Sequence, residues 1–184
     1  MAVVLSLTTM MYSLNAIMVK AEGEERLDVP FFRQIWEPWG KQNLGFSDDL
    51  IENSGCALTS LAMVLKYYGV DTDPERLNNW LKDNGGFIGK SSIIWSNAVK
   101  IGGDYLNYYG IVNYENGADL ERVNWLLESG YPVIARMDYQ GTNHYVVISG
   151  HSGDTYYIND PWYENPARTI NQSYEPLNNP AAAI

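Results

Sequence analysis

The periodicity of the apolar residues changes once along this chain, and that change limits the fold more than any other feature. Residues 54–69, "SGCALTSLAMVLKYYG", set Leu58, Leu61, Ala62, Leu65 and Tyr68 at helical spacing, with Gly69 as a left-handed stop. After Pro132 the pattern becomes strand-like. "PVIARMDY", "HYVVISG" and "TYYIND" are rich in Val, Ile and Tyr and are separated by turn residues. Between these regions, Asp73-Pro74 starts a short helix through Trp80 and Leu81 that "DNGG" ends. Further helices are expected over 91–100 and 118–128, with an aromatic, strand-like stretch over 102–114. Helices first and an antiparallel sheet after them make the class α+β. With 184 residues, 46% of them hydrophobic, the chain has the core of one domain.

Cys56, the single cysteine, stands at the mouth of the 54–69 helix. Ser54 is a good N-cap, which puts Cys56 in the first turn. There the free backbone N–H groups and the positive end of the helix dipole favour a thiolate, and the same groups could hold an oxyanion. A lone cysteine is also commonly a small buried hydrophobe, so position alone leaves both readings open.

A nucleophilic thiol needs a base, and the chain has two histidines, His144 and His151. "HYVVISG" and "TYYIND" flank the turn-forming "GHSGD" and read as a β-hairpin. With Gly150 to Asp154 as the loop, Ser149 pairs with Thr155, and His144 comes to lie opposite Asp160. Opposed residues have Cβ atoms about 4.5–5.5 Å apart, close enough for a carboxylate to hold the ring. His151 falls in the turn. Asp160 before Pro161 is otherwise a plain strand terminator. Together the three residues are the parts of a nucleophile, a base and an orienting acid.

The acidic balance, formally −10, argues against nucleic acid, which needs clustered Lys and Arg. "DTDPER" carries Arg76 where a calcium loop demands Gly, and two His with one Cys make a zinc site unlikely, so no metal or cofactor is called for. The abundance of Tyr and Trp suits a groove for extended peptide or glycan, or simply an aromatic core. Residues 1–21 open with an apolar run from Ala2 to Val19, and Val19-Lys20-Ala21 offers a small-residue site, the pattern of a secretory signal. Left uncleaved, about 18 apolar residues would be enough to anchor in a bilayer. The folded domain is then expected over 22–171, with 172–184, rich in Asn, Pro and Ala, as a disordered tail.

"VPFFRQ", "SGCALTSLAMVLKYYG", "NHYVVISG" and "YYINDPW" occur in this order over residues 28–165. In combination they resemble the bacteriocin-processing (double-glycine) family of papain-like cysteine peptidases, and more closely its secreted, stand-alone bacterial relatives. The resemblance implies a papain-like fold, with N-terminal helices packed on a C-terminal antiparallel sheet. It implies Cys56 as nucleophile, His144 as general base and Asp160 as its orienter. Gln34, closing "VPFFRQ", would supply the side-chain donor of the oxyanion hole, with Gln42 as a rival. Many relatives read Gly-Cys-Gly-Pro where this chain has Gly-Cys-Ala-Leu, which leaves the backbone after the nucleophile less constrained. The implied protein is a secreted or envelope-associated bacterial cysteine peptidase acting on a peptide or protein. A cell-wall amidase or endopeptidase, an acyltransferase with the same triad, and a non-catalytic peptide-binding domain are the alternatives.

Overall fold

The computed structural model describes residues 2–7, 25–112, 118–164, 168–172 and 174. A short helix α1 (Ile51–Ser54) leads into α2 (Cys56–Tyr67), followed by α3 (Pro74–Asp83). The remaining helices are α4 (Trp95–Ala98) and α5 (Leu120–Glu128). The strands in chain order are β1 (Ala2–Leu7), β2 (Glu25–Arg26), β3 (Phe87–Ile88), β4 (Ser92–Ile93), β5 (Leu106–Val112), β6 (Val133–Tyr139), β7 (Thr142–Ser152), β8 (Thr155–Asn159) and β9 (Arg168–Thr169). One sheet runs β5-β1-β6-β7-β8-β9, with β2 on β7, and β3 pairs with β4 apart from it. Every pairing in the large sheet is antiparallel. The α+β class read from the periodicity is the observed one.

α2 is the centre of the molecule. Leu58 to Leu65 are all buried, beyond the stripe expected from the spacing alone, as for a helix enclosed on all sides. Each fully buried Leu or Val there contributes roughly 1.5–3 kcal/mol. Ser60 Oγ donates to the Tyr145 carbonyl at 3.1 Å, fixing the helix against β7. The N-terminal strap over 27–34 crosses the far end of the β7–β8 hairpin. Leu27 N–H donates to Ser149 O (2.7 Å), Asn159 Nδ2 to Val29 O (2.8 Å) and Gln34 N–H to Pro161 O (3.0 Å).

Several expectations are corrected here. The helix expected over 91–100 is only α4, followed by a 3₁₀ segment Val99–Tyr105 that carries Gly103 at φ 74. Ser54 is not the cap of α2. Its hydroxyl bonds Asp49 Oδ2, and Gly55 is the N-cap because α1 ends directly against it. The disordered tail expected from residue 172 begins too early, since Ile170–Gln172 form a 3₁₀ turn and Tyr174 is buried. Residues 8–24, with most of the expected signal, lie outside the described residues, as do 175–184. Ala2–Leu7 forms β1 between β5 and β6, so cleavage after Ala21 would remove that strand from the sheet.

Candidate active site

Cys56 is the first residue of α2, and Gly55 explains how it is presented. A Cβ on Gly55 would lie 2.4 Å from Ile51 O and 2.5 Å from Ile51 Cγ2. Only glycine therefore lets α1 end and α2 begin without a spacer. Cys56 and Ser60 lie one turn apart on the same face of α2. The Ser60 bond to Tyr145 O thus sets the thiol beside His144, the preceding residue of β7.

The hairpin differs from the expected register in an instructive way. The turn is Gly153-Asp154, with Gly153 at φ 55, and Ser152, His151 and Gly150 pair with Thr155, Tyr156 and Tyr157. His151 is therefore a strand residue and not a turn residue. Continued inward unchanged, this register would set Asp160 opposite Val147, on the other face from His144. A bulge at Ser149 shifts the ladder by one, so that Ile148 pairs Ile158 and Val147 pairs Asn159. Asp160 then comes opposite Val146, two residues from His144 and on its face. The pair meets as diagonal neighbours, which side chains of this length can bridge, and not as the direct opposition expected.

The two side chains meet at 2.8 Å, His144 Nε2 to Asp160 Oδ1. A carboxylate only accepts, so Nε2 carries the proton, and Nδ1 is left for Cys56, whose sulfur raises the affinity of the ring for its proton. Cys56 and His144 are almost fully buried and Asp160 completely so. Burial alone would pull the His144 imidazolium down. The Asp160 hydrogen bond and the Cys56 sulfur beside the ring outweigh it and hold His144 up to about 9. At neutral pH the ring is cationic, facing sulfur on one side and carboxylate on the other.

Asp160 is itself fully engaged. Oδ1 also accepts the Trp162 N–H at 2.9 Å, and Oδ2 accepts the Tyr174 hydroxyl at 2.5 Å. The Tyr174 ring stacks on His144 with centroids 6.1 Å apart and planes at 15°. Nothing in the sequence signalled Tyr174, which stands in a polar, Pro-containing stretch with no periodicity.

Gln34 is buried beside this group. Its Nε2 donates to Glu52 O at 2.9 Å, in the helix just before Cys56, and its Oε1 has no partner among the described residues. One Nε2 hydrogen remains beyond the Glu52 bond. Gln42 points elsewhere, its amide bonded to Glu75 Oε1 at 2.6 Å. His151 is held between Gly153 O (3.3 Å) and Glu128 Oε1 (3.4 Å) and stacks on Tyr156. No cluster of three or more His, Cys, Asp or Glu suited to a metal occurs among the described residues.

With that geometry in place, the comparisons are direct. The profile of the Peptidase_C39 like family matches residues 26–182. This chain belongs to that family. A crystal structure from Bacillus anthracis, assigned as a C39-like peptidase, superposes with a TM-score of 0.53 at 19% identity. The match covers 84% of this chain and 90% of that one, which at such identity speaks for the fold. No curated protein matches the chain. The papain-like arrangement of helices on an antiparallel sheet, expected from the resemblance, is thus the fold of a C39-like family member, and the family's character is that of a cysteine peptidase.

Proposed function

We propose that this C39-like family member is an exported cysteine peptidase that hydrolyses peptide bonds through a Cys56-His144-Asp160 triad. The observation that carries this reading is His144, bonded through Nε2 to a buried carboxylate and facing a thiol at a helix N-terminus. Sulfur and imidazolium are matched for the two halves of an acyl transfer. The Cys56 thiolate attacks the scissile carbonyl carbon, forming a C–S bond and placing the negative charge on oxygen. The Cys56 backbone N–H and the spare hydrogen of Gln34 Nε2 would receive that charge. Collapse breaks the C–N bond as His144 passes its proton to the departing amine. Neutral His144 then takes a proton from water as the water oxygen attacks the thioester carbonyl, the C–S bond breaks, the acid product departs, and Cys56 remains as thiolate beside protonated His144. The export part of the proposal rests on residues 1–21. No helix among the described residues is long and apolar enough to cross a membrane.

The test is incubation of the full chain with denatured casein, purified peptidoglycan, and casein plus a primary amine. Casein cleavage that is lost in Cys56→Ala supports the peptidase. Release of stem peptides only from peptidoglycan would replace it by a wall amidase or endopeptidase, and amine-labelled casein without cleavage by an acyltransferase. Wild-type and Cys56→Ala behaviour alike on all three would overturn the enzyme reading. Export is tested by N-terminal sequencing of the protein from the culture medium, where a start at Glu22 is expected.

A further inference from the structure

Residues 168–172 and 174 lie beside the hairpin and the site. β9 pairs Arg168 with Ile158 and Thr169 with Tyr157. The Thr169 N–H donates to Gln172 Oε1 at 2.9 Å, and the Tyr174 N–H donates to Ile170 O at 2.9 Å. This closed bracket, anchored by buried Ile170, carries the Tyr174 phenol onto Asp160 Oδ2 and its ring onto His144.

We propose that Tyr174 is a positioning residue for the catalytic base, acting on His144 through Asp160. The proposal rests on reading His144 as the partner of Cys56, and it assigns a role to a residue outside the four family blocks. A buried carboxylate has two anionic oxygens, and each needs a donor. His144 and the Trp162 N–H serve Oδ1, and among the described residues the Tyr174 hydroxyl alone serves Oδ2. The terminal torsion of an Asp side chain is soft and broadly distributed. Two donors on one oxygen would leave the carboxylate free to pivot, and a donor on the other oxygen stops that rotation. A fixed carboxylate fixes the imidazole plane, hence the aim of Nδ1 at the sulfur. Burial, reinforced by the adjacent carboxylate, pushes the Tyr174 phenol far upward, so it keeps its proton and remains a donor.

A Tyr that only tied down the tail would make the same contacts, so the test is a double-mutant cycle on the full chain. Tyr174→Phe retains the ring and removes the hydroxyl. It is expected to lower kcat about tenfold, the effect of losing one hydrogen bond to a charged group, with KM unchanged and the melting midpoint somewhat lowered because a buried carboxylate oxygen loses its donor. The rate of Cys56 alkylation by iodoacetamide at neutral pH should fall by a similar factor. In an Asp160→Ala background the hydroxyl has nothing to act on, and adding Tyr174→Phe should change alkylation by less than about twofold. Equal fractional losses in both backgrounds, or wild-type alkylation in Tyr174→Phe, would overturn the proposal. Alkylation needs no substrate, so the cycle reports on Tyr174 even if casein is not cleaved. Casein cleavage with an additive cycle would leave the peptidase reading standing and remove Tyr174 from it.

Discussion

Cys56 and His144 face each other, yet their positions are set over very different lengths of chain. Around Cys56 the backbone is local: α1 closes, Gly55 admits the turn, and α2 begins. Around His144 it depends on the β7–β8 ladder, on one bulged residue in it, and on a tyrosine from beyond β9. A helix start tolerates small changes further along the chain. A strand pairing does not, because a slip by one residue turns a side chain to the other face of the sheet. The site therefore joins a robust half to a fragile half.

The largest effect that tests this contrast comes from the histidines. His144→Ala should lower kcat/KM by on the order of 10⁴–10⁶-fold, as for loss of a catalytic base. His151→Ala should stay within about threefold, since its partners are Gly153 in the hairpin turn and Glu128 at the end of α5. Equal losses in steady-state assays would mean that the base is not the residue held by Asp160.

Next comes the register itself. One alanine inserted between Ile158 and Asn159 would carry Asp160 opposite Tyr145, on the face away from His144. Turnover should fall by on the order of 10⁴-fold, the known scale for a misoriented base, while circular dichroism still reports a folded chain. Unchanged turnover would show that the fragile half is not fragile.

Gln34 belongs to the strap that joins the halves, bonded to Pro161 on one side and Glu52 on the other. Gln34→Ala should lower kcat by roughly 10²–10³-fold and leave iodoacetamide alkylation of Cys56 unchanged, because the donor matters only once charge develops. Gln42→Ala, whose amide is committed to Glu75, should turn over normally. The reverse pattern would transfer the oxyanion role to Gln42.

The smallest effect is on stability. His144 is held up to about 9 against an ordinary value of 6.5, so it binds its proton more tightly folded than unfolded. Its contribution to stability is then complete below about pH 6.5 and is lost as the pH rises through about 9. Urea midpoints of the wild type and His144→Gln should differ most near pH 6 and converge near pH 10. A gap that widens with pH would reverse the sign and rule out the imidazolium.

What was legible in the sequence is what short-range chemistry controls. The 3.6-residue spacing of Leu58, Leu61 and Leu65 specified α2 and put Cys56 at its start. The Val, Ile and Tyr runs around a glycine turn specified the hairpin that bears His144 and Asp160. The chain order of these segments specified the α+β class. Sequence alone points to Ser54 as the cap of α2, because α1, a single turn against Gly55, leaves no periodic trace.

Only the tertiary structure decided how those pieces meet. "GHSGD" is turn-like throughout and predicts a five-residue loop, whereas burial of Tyr156 with its hydroxyl on Asn124 in α5 draws His151 and Ser152 into the ladder. The Ser149 bulge reconciles that tip with the face shared by His144 and Asp160, and no propensity at Ser149 announces it. The expected role of Gln34 came from resemblance to a motif, and its placement comes from its N–H bond to Pro161 O far along the chain and its side-chain bond to Glu52 O. Tyr174 had no signal at all, since a buried acceptor recruits a donor from wherever the fold brings one, and sequence distance does not enter that selection.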